Sequence, residues 1–277
     1  MKNTSGTFLL GVGAQKCGTS WLHHYLSRSP GFDGGMTKEY HVWDALDLPL
    51  MRGQRAAPNP DGHNRDCLQA LRRRMQTEDG AYFGYFRALC RDGATLTADI
   101  TPAYAGLGRA RLAQIKAGIE ATGLTCKAIF LIRDPVERDK SAVRFNLARG
   151  NHREGIPPGV TGFCAALAAY SRSDHARLRS TYGPTLRNLR AVFGPEQLYI
   201  GVFEALFTAP SISALSEFLG VPPRPDLAAT RINQTMGPQV DCPRLEREMR
   251  DRYSAVYEDC AKLVPETRRY WPAASST

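Results

Sequence analysis

The stretch FLLGVGAQKCGTSWL, Phe8 to Leu22, decides the fold. An apolar run halts at Gly13, and a loop carrying Lys16 and Gly18 follows. Thr19 and Ser20 then open a segment in which Trp21, Leu22, Tyr25 and Leu26 share one helical face, closed by Ser29-Pro30-Gly31. The spacing predicts a buried strand over Thr7–Val12, a tight turn, and a helix over Thr19–Arg28. A glycine-rich turn set against a helix N-terminus aims main-chain N–H groups at an anion. Gly13 and Gly18 permit the tight path, Lys16 adds a full positive charge, and Thr19 and Ser20 offer hydroxyls or cap the helix. The ATP-type loop reads G-x-x-x-x-G-K-[ST]. Gly13 and Gly18 keep its glycine spacing, but Thr19 stands where its lysine belongs, which weakens a kinase or ATPase reading. A cysteine phosphatase built on Cys17 would need an arginine where His23 stands. A helix N-terminus lowers a thiol pKa, but a small residue filling the turn is the simpler reading of Cys17.

Outward from this loop, TCKAIFLIRDP (Thr125 to Pro135) is the clearest buried strand; it ends at Asp134-Pro135, with a helix expected through about Ala148. Further strands are expected at Ala94–Ile100 and in QLYIGVFEAL, 197–206. Helices are expected at Cys67–Gln76, Arg109–Ala121, Phe163–Leu178, Thr185–Phe193, Ser211–Leu219 and Arg244–Leu263, with Pro222–Asp241 irregular. Strands separated by helices along the whole chain imply an α/β fold: a P-loop-like, mostly parallel sheet flanked by helices on both faces. Residues 1–277 read as one domain, with 45–66 a surface excursion and 272–277 a frayed tail.

Of the 277 residues, 43% are hydrophobic, enough to build a core, and the formal net charge of +9 favours an anionic ligand without choosing one. No apolar run approaches the roughly 18 residues of a membrane span. The N-terminal apolar stretch is short for a signal peptide and reads as the first strand, so a cytoplasmic protein is expected. Seven cysteines, at 17, 67, 90, 126, 164, 242 and 260, are scattered without a C-x-x-C and read as reduced thiols. The basic residues are dispersed and form no nucleic-acid recognition motif. Arginines 52, 55, 65, 72, 73 and 74 are candidates to flank a cleft for an acidic acceptor, though most such runs are solvated faces.

GAQKCGTSWLHHYL resembles the 5′-phosphosulfate loop of sulfotransferases that use 3′-phosphoadenosine 5′-phosphosulfate (PAPS), in which a lysine holds the place of Lys16 and Gly-Thr follows. The resemblance implies that Gln15, Lys16, Cys17, Gly18, Thr19, Ser20 and Trp21 hold the donor, and that no metal is required. A second segment, LIRDPVERDKSA, places Arg133 at a strand end and Ser141 in the next helix; in that family this pair binds the donor's 3′-phosphate, a task that suits the planar fork of an arginine. A third, TKEYHVWD (37–44), is similar to the K-E-x-H-F-F-D stretch of the heparan sulfate and glycan-type enzymes, matching at Lys38, Glu39, His41 and Asp44. It implies Glu39 as general base, with His41 assisting or orienting it and Lys38 near the acceptor.

DITPAYA resembles the family's K-[ST]-P-x-Y segment, which lines the acceptor cleft, and so implies Thr101 and Tyr104 as acceptor contacts; Ile100 replaces its lysine. LRSTYGPTLRNLRAVFGPEQLYIGVFEAL and RDRYSAVYEDCAKLV are weaker echoes. The disulfide-bounded loop that closes over the donor in animal enzymes is not recognisable in GVPPRPDLAATRINQTMGPQVDCP, where Arg231 and Asn233 are the nearest substitutes. The implied activity is sulfuryl transfer from PAPS, leaving 3′-phosphoadenosine 5′-phosphate, to a hydroxyl or amine of a glycan, lipid or other small acceptor. A P-loop kinase and a non-catalytic basic nucleotide- or nucleic-acid-binding protein are the competing readings.

Overall fold

The computed structural model describes residues 6–57, 67–91, 93–150, 152, 154–230, 232 and 240–272. Four strands form its sheet: β1 (Thr7–Gly13), β2 (Leu96–Ile100), β3 (Thr125–Ile132) and β4 (Leu198–Val202), in the order β2-β1-β3-β4. All three pairings are parallel. β1 and β2 are buried on both faces; β1 reads as a continuous apolar or small-residue run, whereas β2 alternates Leu96, Ala98 and Ile100 with the buried polar Thr97 and Asp99. Between and after the strands come α1 (Thr19–Ser27), α2 (Trp43–Asp47), α3 (Cys67–Thr77), α4 (Ala81–Arg91), α5 (Arg109–Glu120), α6 (Pro135–Ala148), α7 (Phe163–Tyr170), α8 (Asp174–Ser180), α9 (Tyr182–Val192), α10 (Ala209–Leu219), α11 (Pro243–Arg252) and α12 (Ser254–Leu263). The expected α/β fold with a parallel sheet between helices is the observed one.

Local chemistry fixes the two connections that matter. Asp134 caps α6, its Oδ1 accepting from the N–H groups of Val136 (2.9 Å) and Glu137 (3.0 Å), with Pro135 in the first turn. Gly18 precedes α1 with φ +97°, and a Cβ there would stand 2.8 Å from Leu206, so both backbone and neighbour demand glycine.

Several expectations need correction. The helix expected over Phe163–Leu178 is two: Ser173 interrupts it and caps α8 by accepting from the Ala176 N–H. Arg244–Leu263 also divides, at Tyr253, whose hydroxyl turns inward to Asp139 Oδ2 at 2.6 Å, while Tyr257 donates to Asp134 Oδ2 at 2.9 Å. α4 is not expected from the sequence, because Gly84 and four aromatics depress its helix propensity; Tyr82 and Phe86 nevertheless anchor it in the core, with the Phe86 ring centre 4.7 Å from that of Phe8. The surface excursion expected over 45–66 is corrected at its start, where 43–47 and 49–54 are helical and Ala45 and Met51 are buried; residues 58–66 lie outside the described residues. The cysteines are not all free: the fold brings Cys164 and Cys242, 78 positions apart, to a Cα–Cα distance of 5.9 Å and joins them in a disulfide, a pairing no local spacing could announce. Cys17, Cys67, Cys90, Cys126 and Cys260 are free.

Candidate active site

The β1–α1 loop, the carboxyl end of β3, one face of α6 and the segment before α2 surround a cleft of about 1060 Å³. It lies where open parallel sheets take their ligands, beyond the carboxyl ends of the strands. Gln15, Lys16, Gly18, Thr19, Ser20, Trp21, Lys38, Glu39, His41, Arg133 and Ser141 all line it.

On the loop side no side chain caps α1, so its first N–H groups remain available to a ligand. Lys16 adopts a left-handed backbone (φ +68°) and lays its ammonium 4.1 Å from the centre of the Phe145 ring. Burial, with repulsion from Arg133, Arg149 and Arg138, brings its pKa down to about 8. Arg133 stacks 4.3 Å from the Phe203 ring and points Nη1 at the Lys16 carbonyl, 3.5 Å away; its Nε is buried without a partner among the described residues, as is Gln15 Oε1. Two polar atoms left unpaired in a cleft are places where a ligand can satisfy the protein. Tyr182 fixes the Arg133 carbonyl at 2.8 Å.

Cys17 does not line the cleft. Its side chain is fully buried, near Tyr182, and its N–H is taken by the Ala14 carbonyl. Burial pushes the thiol up to about 12, overriding the helix N-terminus, so it fills the turn.

On the opposite side the Lys38 ammonium contacts Glu39 Oε1 (2.7 Å), Thr19 Oγ1 (3.3 Å) and Ser20 Oγ (3.5 Å), bridging the anion loop and the carboxylate. His41 lies between two carboxylates: Nδ1 is 2.6 Å from Asp44 Oδ2 and Nε2 3.3 Å from Glu39 Oε2. Burial opposes the imidazolium, but the hydrogen bonds to Asp44 and Glu39 prevail and raise its pKa to about 9. Burial likewise opposes the Glu39 carboxylate; contacts from His41 and Lys38 prevail and hold it down to about 2. At neutral pH the site therefore presents an ionised Glu39 flanked by two cations.

Thr101 and Tyr104 do not touch the cleft. Both are fully buried, and their neighbours Pro102 and Ala103 are the wall residues. The arginine cluster is corrected too. Arg72 donates to the carbonyls of Tyr40 (2.7 Å) and Glu39 (3.1 Å), Arg55 and Arg73 bind the carbonyls of Ala45 and Ala57, Arg74 pairs with Glu78, and Arg52 is exposed. None of these five lines the cleft; Arg65, Arg231 and Asn233 lie outside the described residues.

The cations that do line it come from elsewhere. α6 presents Glu137, Lys140, Ser141, Arg144 and Phe145 along one face, a spacing of three and four that the sequence carried openly. Arg144 and Arg149 have no carboxylate partner among the described residues and rest against Phe163 (5.4 Å) and Phe145 (4.0 Å). Arg179 is held by Glu154 through bonds of 2.8 and 2.9 Å.

No protein-family model matches the sequence, and no curated protein matches it. Among solved structures, a sulfotransferase from Alicyclobacillus acidocaldarius superimposes with a TM-score of 0.59 at 22% identity, covering 94% of this chain and 96% of its own. The sulfotransferase domain of the Synechococcus PCC 7002 olefin synthase does so with a TM-score of 0.52 at 16% identity, covering 96% and 94%. The fold is therefore that of sulfotransferases. Among the described residues no helix is long and apolar enough to cross a membrane.

Proposed function

We propose that the chain is a sulfotransferase that moves a sulfuryl group from PAPS to a hydroxyl of a glycan or other small acceptor, with Glu39 as the base. The observation that carries this reading is the convergence of Lys16, Arg133, Ser141 and Glu39, from three separate segments, on one cleft. The residues fit the donor: an uncapped helix start, an ammonium beside it, and an arginine with an unpaired Nε suit an anion with two phosphorylated ends. When bound, PAPS supplies the sulfuryl group and its own leaving phosphate.

The chain's own contribution is electrostatic and positional. Lys16 and the N–H groups of the β1–α1 loop hold negative charge where it grows as the leaving oxygen departs, which is the interaction that counts most in a transition state. Arg133 and Ser141 fix register at the other phosphate. Lys38 touches both Thr19 and Glu39, so it couples the anion loop to the base. An anion arriving at Thr19 and Ser20 competes for that ammonium and frees the Glu39 carboxylate to accept a proton from the acceptor.

The test has two stages. Thermal stabilisation by 3′-phosphoadenosine 5′-phosphate is compared with that by ATP and magnesium; the reading expects the first to be the larger. Transfer of labelled sulfate from PAPS to a panel of sugar and aliphatic alcohols follows. Stabilisation by ATP·Mg alone, with no transfer to any acceptor, refutes the assignment.

A further inference from the structure

Thr101 and Tyr104, expected at the acceptor, have a different connection to the site, and it runs through a buried carboxylate. The loop carrying Glu39 and His41 is neither strand nor helix, and β2 gives it a single main-chain bond, from the Ile100 N–H to the Lys38 carbonyl at 2.9 Å. Each buried N–H in it therefore needs a partner from outside. The Tyr40 N–H donates to Thr101 Oγ1 (3.1 Å), with Asp99 Oδ1 at 3.4 Å; the His41 N–H reaches the same Thr101 oxygen at 3.4 Å; the Val42 N–H donates to Tyr104 Oη at 3.2 Å. Both hydroxyls in turn donate to Asp99, Thr101 to Oδ1 at 2.6 Å and Tyr104 to Oδ2 at 2.8 Å, where Tyr82 donates as well at 2.9 Å.

A hydroxyl has one hydrogen. Because Asp99 takes those of Thr101 and Tyr104, their lone pairs are forced to face the loop. We infer that Asp99 is a positioning residue for Glu39 and His41: a buried acceptor-only group that sets the polarity of two hydroxyls so that they receive three successive main-chain N–H groups. The inference rests on the reading of Glu39 as base.

The opposite edge of the loop is closed just as fully. Arg72 holds the carbonyls of Glu39 and Tyr40, and Gln76 donates to that of His41 at 2.8 Å. His41 keeps a left-handed backbone, φ +53°, unfavourable for a non-glycine residue unless its surroundings fix it. Clamped between the hydroxyls of 101 and 104 on one side and α3 on the other, its ring has one place to go, between Asp44 and Glu39. Asp99, Thr101 and Tyr104 are fully buried, so none of them meets a substrate directly.

Asp99→Asn tests the polarity argument, because the amide accepts on one side and donates on the other, so one hydroxyl must turn its hydrogen toward a loop N–H. Thr101→Val and Tyr104→Phe remove one receiver each, and Thr101→Ser restores it. The primary readout is the imidazole titration of His41 by NMR, which needs no turnover. The groups facing that ring are Glu39, Asp44 and, behind Glu39, Lys38, with Arg72 and Asp99 across the loop. The wild-type midpoint is expected near 9 and should fall by one unit or more in Thr101→Val and Asp99→Asn, with Thr101→Ser close to wild type. Turnover should drop on the order of 10- to 100-fold, as for a misplaced reacting group, while affinity for 3′-phosphoadenosine 5′-phosphate stays within about twofold, since none of the three lines the cleft. Folded Thr101→Val and Tyr104→Phe proteins with an unmoved His41 midpoint overturn the inference, even if Asp99→Asn fails to fold. Failure of the wild type to bind the nucleotide or transfer sulfate overturns the functional reading instead and leaves the titration to be judged alone.

Discussion

The two halves of the cleft are built in opposite ways. The anion site proposed for the β1–α1 loop is made from consecutive residues: glycines at 13 and 18, a helix start, and Lys16 between them. The Glu39–His41 loop supplies the two side chains proposed to act on the acceptor and little of its own support. Its carbonyls are held by Arg72 and Gln76, its N–H groups by Thr101 and Tyr104. A local site tolerates distant change, whereas a borrowed one is exposed to it from two directions. Substitutions can sharpen or break this contrast.

The largest effect is expected at Glu39. Glu39→Gln should lower kcat by roughly 10²- to 10⁴-fold, the range for a lost general base, with the nucleotide product still binding. A variant with wild-type turnover would remove the base from the site. Lys16→Ala comes next, at about 3 kcal/mol or on the order of 100-fold in rate by analogy with a lost oxyanion donor; single-turnover transfer from saturating PAPS measures it. Arg133→Ala should act mainly on the donor KM, because register rather than chemistry is lost.

The pH dependence separates the halves further. Lys16 must be charged to hold an anion, and its pKa lies near 8, so donor kcat/KM should fall tenfold per unit above that pH. His41 titrates near 9, above its ordinary value; the stability it contributes is complete below pH 6.5 and lost as pH rises from there through about 9. Chemical denaturation at pH 6 and pH 10 should show that loss. It should disappear in His41→Gln.

The smallest effect tests the buttress. Arg72→Met removes two bonds to main-chain carbonyls and should cost about tenfold in kcat without moving donor affinity. An equal loss at both substrates would mean that α3 supports the whole cleft.

The same contrast explains what the sequence could tell. β1, β3 and the anion loop are short-range patterns, an apolar run followed by glycines or by an Asp-Pro cap, and they are legible one segment at a time. Arg133, expected at a strand end, and Ser141, expected inside the helix that follows, both line the cleft. Thr101, Tyr104 and Arg72 were noticed for their residue type and given the wrong neighbours, since which side of a wall a side chain faces is decided by packing hundreds of atoms away. Arg144 on α6 is not singled out by the sequence reading, although a spacing of three from Ser141 points to it. The breaks at Ser173 and Tyr253 depend on one hydroxyl each, half-buried at Ser173 and buried at Tyr253, and no periodicity records them.

One covalent feature has its own bearing on the cleft. Arg179, Phe203, Glu204, Phe207, Thr230 and Ile232 all belong to the stretch tied at its ends by Cys164 and Cys242. That wall is thus a ring in the chemical sense, and opening the ring enlarges the conformational freedom of the unfolded chain. By the chain-entropy relation, a ring of this size is worth roughly 4 kcal/mol. Dithiothreitol added to keep the exposed Cys67 reduced would also open this ring and lower the stability of the whole fold by about that amount.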